Sequence, residues 1–384
     1  MLSAFGSPPR GVSFYSDQLF TSLQEHPGVD IGKLDYVSLY PSILLPTSQG
    51  DAVLAENAVV SWNRPATWRK AASLSAPVMH MQYWTFFSAH YLAAIARHLH
   101  RQQKKCVVTV HNPDQHEAVP VAGYLESKLF KVADRLIVHS ESGKDILCLK
   151  QAALEPKIRV IPHGIVEHGS IDIRPGDYEL AGLSAERRYV LIFGNLRGYK
   201  GIPTLLRAWK DVIRENTDTD LILAGRFWNK GKNPVSRITA RILGTEKTTQ
   251  EINALLSDSA LQHRIIPRTR FLPDEVIDAC CRLADVAIFP YIRFSGQSGA
   301  ATRAAGWGTP LVVSRVGALP DLAISDDYVC RPCDEAELAA KLLDLLSTPK
   351  NLAALRQQQL AIIRPFYWDN VAARNADVYR ELTG

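Results

Sequence analysis

The sequence predicts an α/β protein with two Rossmann-like domains, and three observations support this. Short apolar runs rich in β-branched residues alternate with helical patterns, which is typical of parallel sheets covered by helices on both faces. The 384 residues exceed the size at which one hydrophobic core stops growing. The segment 164–188 mixes glycine, proline and charge without a periodic pattern, so it indicates a break between two halves.

Most of the predicted strands are nearly continuous apolar runs, which favours strands buried on both faces of a sheet. The strands are expected at 107–110, 135–138, 159–161, 189–193, 221–223, 286–289 and 311–313. Helical patterns lie between them at 86–103, 202–215, 249–257 and 335–347. An amphipathic stretch at 366–382 predicts a closing helix.

The predicted organisation therefore has four parts, and we expect a ligand in the cleft between two facing domains. They are an N-terminal domain at 1–165, a linker at 166–187, a C-terminal domain at 188–365, and a helix at 366–384 that bridges back to the N-terminal domain.

Composition excludes several classes of protein. The net charge of +5 is mild and spread along the chain, so nucleic acid is not an expected partner. No apolar stretch approaches the roughly 20 residues of a membrane-spanning helix, and the N-terminus does not resemble a secretory signal. Six scattered cysteines favour a reducing cytoplasm over a disulfide-stabilised secreted protein.

The segment 189–209 predicts an anion site. An apolar strand ends at Gly194, a loop with Arg197 and Lys200 follows, and a helix begins after Gly201. Because the first turn of a helix has free N–H donors, a cationic loop at this place suits a diphosphate. The alternative is a solvated surface loop that carries two cations.

The segment 286–317 predicts a second anion site. A strand is followed by Gln297, Ser298 and Gly299, and then by an alanine-rich helix. The small loop can approach a ligand by its backbone, and serine adds a hydroxyl donor. A tight strand–helix connection is the alternative. The sequence has neither a Walker A loop nor GxGxxG, which argues against a P-loop and against a nicotinamide or flavin cofactor.

Taken in order, these segments resemble the GT-B fold glycosyltransferases of family 4, the bacterial polysaccharide group. The resemblance covers nearly the whole chain. It rests on the segments VVTVHNP, DRLIVHS, IRVIPHGI, FGNLRGYKG, LADVAIFPY, QSGAATRAAGWGTPLVVSRVGALPDL and FYWDNVAARNADVYREL. It implies that the C-terminal domain holds a nucleotide-diphosphate sugar and that the N-terminal domain holds the acceptor.

The resemblance also implies roles for individual residues in the C-terminal domain. Lys200 would bind the donor diphosphate with Arg197 beside it. Gln297, Ser298 and Gly299 would lie at the diphosphate or the sugar. No metal ligands and no cofactor beyond the sugar nucleotide are expected, because cations and helix N-termini can stabilise the leaving group.

In the N-terminal domain, the resemblance gives two residues a role. His111 matches a family histidine that faces the transferred sugar, and Gly11 matches an early glycine-rich loop near the phosphates.

Other residues of the N-terminal domain are candidates by position. Asp114, His116 and Glu117 follow a strand, and each could activate an acceptor hydroxyl if the reaction inverts, or be solvated. His80 and Trp84 could form an aromatic acceptor platform, or the end of a strand packed on the core.

The sequence departs from the family at three positions. Many members have two glutamates separated by seven residues, and Ser295 and Arg303 stand at those positions here. Asn195 stands where an arginine is usual, with Arg197 as its substitute. Donor contacts and stereochemistry, retaining or inverting, therefore stay open.

The expected function is transfer of a sugar from a UDP- or GDP-linked donor to a glycan or lipid-linked acceptor in exopolysaccharide or cell-surface polysaccharide synthesis. Two alternatives remain: a catalytically silent relative that acts as the partner of another transferase, and a nucleotide-sugar epimerase. An anionic membrane surface is a further expected partner, on the inner face of the plasma membrane. This expectation rests on aromatic and basic residues at 62–70 and on basic residues at 97–105. The alternative is a solvated helix face.

Overall fold

Two parallel sheets organise this computed structural model, which describes residues 1–3, 5, 11–38, 58–114, 120–168, 170–227, 245–347 and 352–384. The chain divides into two units. The first comprises Met1–Gly164, Ser295–Gln297 and Pro365–Gly384. The second comprises Ile165–Phe294 and Ser298–Arg364.

The first unit is built on four parallel strands in the order β3-β4-β5-β6. A parallel pair, β1 and β2, forms a separate small sheet. The strands are β1 (Asp35–Ser38), β2 (Ala58–Ser61), β3 (Val78–Tyr83), β4 (Lys105–Val110), β5 (Arg135–Val138) and β6 (Ile158–Val160). The helices are α1 (Val12–Glu25), α2 (Pro65–Ala72), α3 (Phe86–His100), α4 (Pro120–Val132) and α5 (Glu141–Lys150), joined at the C-terminus by α14 (Trp368–Thr383).

Helix α14 packs within the first unit through apolar and polar contacts. Val371 and Ala372 are fully buried. Tyr379 Oη lies 2.6 Å from His80 Nδ1. Glu381 accepts a hydrogen bond from Arg159 Nη2 at 2.8 Å. The C-terminal helix is therefore part of the hydrophobic core that covers the sheet of the first unit.

The second unit has six parallel strands in the order β12-β11-β10-β7-β8-β9. The strands are β7 (Arg188–Phe193), β8 (Thr219–Ala224), β9 (Ile265–Arg268), β10 (Val286–Phe289), β11 (Leu311–Ser314) and β12 (Val329–Cys330). The helices are α6 (Asp177–Ala181), α7 (Ile202–Glu215), α8 (Thr245–Leu256), α9 (Ser259–Gln262), α10 (Asp274–Leu283), α11 (Gly299–Gly306), α12 (Glu335–Leu346) and α13 (Leu352–Ile363).

The strand order of the second unit indicates where a ligand would bind. Counted within the unit, the first and fourth strands, β7 and β10, are neighbours at the centre of the sheet. The chain runs outward in opposite directions from this pair, which is the topological switch point of a doubly wound sheet. Ligands of such sheets bind outside the carboxyl ends of the strands at that point. The loops that follow β7 and β10 are the two loops that the sequence predicts as anion sites.

Helix α7 illustrates how the spacing of apolar residues predicts a helix. Its buried residues recur with helical spacing and include Leu205, Leu206, Trp209 and Val212. Pro203 stands in the first turn, where its missing N–H has no intrahelical partner to lose. The predicted span 202–215 is confirmed exactly by the structure.

All seven expected strands are confirmed within two residues at either end, but β1, β2, β3, β9 and β12 were not among them. Pro267 and Arg268 interrupt the apolar run of β9. The structure tolerates the proline because β9 is an edge strand, where one missing N–H leaves no partner strand unsatisfied. No helix among the described residues is long and apolar enough to cross a bilayer.

Candidate active site

The loop after β7 is shaped by two glycines in the left-handed region. Gly194 has φ +106° and Gly201 has φ +66°. A Cβ on Gly194 would lie 2.8 Å from Lys200 Nζ, and one on Gly201 would lie 1.9 Å from the Pro290 carbonyl oxygen. Both positions therefore require glycine for conformation and for space, and Gly201 brings the loop directly onto the end of β10.

Lys200 is a buried cation. Its side chain is 6% exposed, and its Nζ lies 3.4 Å from the carbonyl oxygen of Phe193. Burial lowers the pKa of Lys200 to about 8; the neighbouring Tyr199 opposes this shift and Arg197 contributes to it. Among the residues that the structure describes, no carboxylate pairs with Lys200. A buried ammonium without an anion is costly, so this arrangement favours an anionic ligand.

The loop after β10 leads into α11, whose N-cap is Ser298. The Oγ of Ser298 accepts the N–H of Ala301 at 3.3 Å and lies 2.8 Å from the hydroxyl of Tyr291. Gly299 begins the helix, and a Cβ there would meet no atom within 4 Å. The first N–H groups of a helix have no intrahelical acceptor, so they are available to an anion.

The two loops meet in the second unit. The N–H of Ile292 donates to the Tyr199 carbonyl oxygen at 2.7 Å. A Cβ placed on Gly194 would lie near Lys200 Nζ and also 3.7 Å from Cβ of Ala300, which is in the first turn of α11. The structure therefore brings Lys200 and the N-terminus of α11 to one place, at the switch point of the sheet.

The site of the first unit centres on His111, which follows β4. Its Nε2 lies 2.8 Å from Gln82 Oε1, and its Nδ1 lies 3.1 Å from Nε2 of His139. His139 Nδ1 lies 3.0 Å from the Ile161 carbonyl oxygen, which can only accept. With both rings neutral, His139 therefore carries its proton on Nδ1, and His111 donates from its own Nδ1. This leaves a lone pair on His111 Nε2, which requires the Gln82 amide to present its NH2 group.

His111 belongs to a cluster of rings around the buried Tyr15. The ring centroids of His111, His139, His163 and Trp368 lie 4.8, 5.2, 5.0 and 5.2 Å from that of Tyr15. Burial lowers the pKa of His139 to about 3 and that of His163 to about 4, and it holds the pKa of His111 well below its usual value. The histidines are therefore neutral near pH 7.

The sequence analysis missed His139 and His163 as members of this cluster. A signal was present, because His139 directly follows β5 and His163 lies three residues beyond the end of β6. Both positions repeat that of His111 after β4, and the carboxyl ends of parallel strands share one edge of a sheet.

His80 and Trp84 lie on and beside β3. His80 is 3% exposed, with Nδ1 against Tyr379 Oη and Nε2 2.7 Å from Thr109 Oγ1. Both ring nitrogens are occupied, so the geometry gives His80 a structural role in holding α14. Trp84 is partly buried against the core, and its carbonyl oxygen accepts the Asn112 amide at 2.9 Å. The acceptor roles of these two residues stay predictions.

The remaining predicted residues of the first unit are scattered. Asp114 has an exposed carboxylate 3.8 Å from Lys150 Nζ. Gly11 has φ +57° at the N-cap of α1, with open space around it. Gln297, expected at the donor site of the C-terminal domain, clusters with the first unit, where its Oε1 accepts the N–H of His163 at 2.6 Å, and its donor role stays a prediction. His116 and Glu117 lie outside the described residues.

Arg303 forms ion pairs with two carboxylates of the neighbouring helix. It stands at one of the positions where family members have glutamate. Its Nε donates to Asp278 at 2.8 Å and its Nη1 to Asp274 at 2.7 Å, both on α10. These carboxylates raise the pKa of Arg303. The side chain joins α11 to α10 and is not free to contact a nucleotide. Ser295 hydroxyl lies 3.5 Å from the Asp114 carbonyl oxygen.

Two groups of residues have the side chains of possible metal ligands. The first is Asp218-Thr219-Asp220, a DxD triplet of the kind that can bind a metal, but Asp220 accepts hydrogen bonds from Arg187 and Arg264, which fits a structural helix–strand turn. Within the described parts of the chain, His100, Cys106 and Asp134 form the one His/Cys/carboxylate group close enough to share an ion. They lie at the amino ends of β4 and β5, opposite the edge of His111. The expectation of no metal stays a prediction.

Comparison with known families agrees with this architecture. Residues 187–348 match the family described as Glycosyl transferases group 1, and residues 46–167 match Glycosyltransferase Family 4. The chain belongs to the GT-B glycosyltransferases of the family 4 type. In this GT-B glycosyltransferase the group 1 match contains the loop of Lys200 and the N-terminus of α11.

Individual relatives share slightly more than a quarter of their aligned residues with this chain. MMP alpha-(1->4)-mannosyltransferase of Mycolicibacterium hassiacum is 28% identical over 298 residues, which is 72% of this chain and 65% of the relative. Glycogen synthase of Mycobacterium tuberculosis is 28% identical over 263 residues, 66% of this chain and 56% of the relative. The GT-B glycosyltransferase thus matches less than two thirds of the length of these relatives.

Solved structures support the fold. Sucrose-phosphate synthase from Thermosynechococcus elongatus aligns with a TM-score of 0.70 at 18% identity, over 100% of this chain and 98% of the other. HepE of Anabaena, in complex with UDP and glucose, aligns with a TM-score of 0.67 at 14% identity over 99% and 98%. These likenesses show that the GT-B glycosyltransferase has the two Rossmann-like domains predicted for it.

Proposed function

We propose that this GT-B protein transfers a sugar from a nucleotide-diphosphate sugar to a glycan or lipid-linked oligosaccharide, in exopolysaccharide or cell-surface polysaccharide synthesis. The observation that carries the proposal is the buried Lys200, with no described carboxylate partner, beside the N-terminus of α11. A cation and free N–H groups at the switch point suit a diphosphate. The similar structure of HepE from Anabaena is a complex with UDP and glucose.

The second unit would act on the leaving group. As the bond between sugar and diphosphate breaks, negative charge builds on the diphosphate. The Lys200 ammonium, the Ser298 hydroxyl and the first-turn N–H groups of α11 are fixed donors for that charge. Donors held in place before the reaction stabilise the transition state without reorganising, which is the dominant contribution in many enzymes.

The first unit would act on the transferred sugar and the acceptor. His111 has a fixed tautomer because His139 and the Ile161 carbonyl oxygen determine which nitrogen carries the proton. The His111 Nε2 lone pair could accept a sugar hydroxyl in place of the Gln82 amide, and a neutral imidazole would do so without adding charge. Asp114, an exposed carboxylate that follows the same strand three residues after His111, is our proposed base if the reaction inverts. The nucleobase, the sugar and the acceptor remain open.

We also propose that the protein binds reversibly to an anionic membrane surface. The structure supports only the charged part of this idea. Arg64, Arg69 and Lys70 are exposed, whereas the Trp68 indole packs within the first unit and donates to the Ser61 carbonyl oxygen at 2.7 Å. Flotation with phosphatidylserine vesicles should show binding at low salt that 0.5 M salt removes, as for attraction screened over about a Debye length.

The donor is tested by screening UDP- and GDP-sugars for a thermal shift, and then by measuring nucleoside diphosphate release with and without acceptor. We expect one nucleotide class to stabilise the protein and the matching sugar to be turned over. Binding without any turnover would favour the silent relative, and conversion to an epimeric sugar nucleotide would favour the epimerase. Absence of both binding and turnover would contradict the proposed function.

A further inference from the structure

Tyr291 lies between the two parts of the candidate donor site and belongs to neither. It follows β10 directly and is 1% exposed. Its carbonyl oxygen accepts the Ser314 hydroxyl at 2.6 Å. Its ring lies edge-on to those of Tyr199 and Phe294, with centroids 5.5 and 5.4 Å away. The ring therefore packs against the loops after β7 and β10, and the Tyr291 backbone is fixed to the end of β11.

The hydroxyl of Tyr291 faces Ser298. The two oxygens are 2.8 Å apart, and the Ser298 Oγ already accepts the Ala301 N–H. A serine hydroxyl has one proton and two acceptor positions. If Tyr291 donates, both acceptor positions of Ser298 are filled and its own proton is left to point outward. If Ser298 donates instead, its proton is consumed and the buried tyrosine proton needs another acceptor.

The ring of Tyr291 faces Lys200. The ammonium nitrogen lies 5.1 Å from the ring centroid, within the range of a cation–π interaction. One rigid side chain therefore touches both anion-binding groups, the cation by its ring and the serine by its hydroxyl. A phenol buried this deeply stays protonated, because burial raises the pKa of Tyr291.

We propose that Tyr291 is a positioning residue of the donor site, which directs the Ser298 hydroxyl proton toward a bound diphosphate and centres the Lys200 ammonium beside it. This inference rests on the proposed function, since it assumes that a nucleoside diphosphate binds at α11. It goes beyond that function in naming a residue that contacts no ligand yet determines how strongly the ligand is held.

The test is a double-mutant cycle read by calorimetric titration of UDP and GDP. Tyr291→Phe removes only the hydroxyl and keeps the ring, and Ser298→Ala removes the group that the hydroxyl orients. We expect each variant to bind the nucleotide about tenfold more weakly, in the range of a hydrogen bond to a charged group. The double variant should be no weaker than Ser298→Ala, because both changes remove the same donated proton.

Tyr189→Phe is the matched control. Tyr189 is buried in the same sheet, and its hydroxyl donates to the Ser184 carbonyl oxygen at 2.8 Å, at the amino end of β7. Its loss should lower the melting temperature and leave UDP and GDP affinity unchanged. If Tyr291→Phe behaves like this control, or if its effect multiplies with that of Ser298→Ala, the positioning role is wrong. If wild type binds neither nucleotide, the proposed function itself fails.

Discussion

The two units bury polar groups in opposite ways. In the first unit His80 and His139 are buried and His111 is partly buried; all three are neutral near pH 7, and their ring nitrogens face protein partners. In the second unit the buried Lys200 stays largely protonated near pH 7, and within the described part of the chain its Nζ has the Phe193 carbonyl oxygen, 3.4 Å away, as its one hydrogen-bond acceptor.

The difference follows from what burial does to each group. A histidine can lose its charge at little cost near pH 7, so its hydrogen bonds can close within the protein. A lysine loses its proton much less readily, so an ammonium without a carboxylate remains available to an anion. The polar groups of the first unit thus define a tautomer and a shape, and those of the second unit provide charge. Each prediction below tests this contrast.

The largest effect is expected from removing the cation. Lys200→Ala should lower sugar transfer by roughly 30- to 1000-fold, equivalent to about 2–4 kcal/mol of lost transition-state stabilisation. Lys210→Ala is the control. Lys210 lies in α7, the helix that follows the Lys200 loop, and its Nζ pairs with the Asp258 carboxylate at 2.5 Å. Steady-state rates of nucleoside diphosphate release measure both. Equal rates for wild type and Lys200→Ala would contradict the idea that the second unit provides charge to the donor through Lys200.

A smaller effect is expected from titrating the same cation. The folded pKa of Lys200 is about 8, so kcat/KM should fall about tenfold per pH unit above pH 8 as the ammonium loses its proton. Arg197, Tyr199 and Tyr291 are the ionisable groups that face it. Lys200→Arg should retain the low-pH rate in part and lose this alkaline fall, since arginine stays protonated. The same fall in both proteins would assign it to another group.

In the first unit we expect pH to affect the stability of the fold, and stability should fall as the solution becomes more acidic. The pKa of His139 is about 3 in the folded state and about 6.5 when unfolded, so the unfolded chain binds more protons between these values. Stability should therefore fall as pH decreases, by about 2 kcal/mol between pH 6.5 and 5 for this group. Scanning calorimetry from pH 7 to 5 measures the slope.

The slope distinguishes this effect from simple destabilisation. His139→Gln should flatten the dependence of melting temperature on pH whatever its effect on the melting temperature itself. His263→Gln, at an exposed histidine of the second unit, should leave the slope unchanged. A slope that is identical in all three proteins would show that the neutral His139 does not govern acid stability.

No change is expected from chelation. If protein cations and helix N–H groups stabilise the leaving diphosphate, then transfer should proceed at the same rate in EDTA. Activity lost in EDTA and restored by Mg²⁺ or Mn²⁺ would mean that charge at the donor site comes partly from a metal, and the contrast between the units would need revision.

Local pattern in the sequence was enough for much of the fold. Hydrophobic periodicity located α7, β7 and β10, because the spacing of apolar residues is set by the geometry of one element at a time. The strand–loop–helix order around Lys200 and Ser298 is likewise local, and it was sufficient to indicate two anion sites.

Tertiary structure alone decided what those local pieces do together. Which loops meet depends on strand order, and β7 and β10 become neighbours although nearly 100 residues separate them. That adjacency creates the contact of Tyr291 with both Lys200 and Ser298. The pairing of His139 with His111 arises in the same way, from parallel strands that end at one edge. Such contacts have no periodic signature, because they depend on distance in space and not on spacing along the chain.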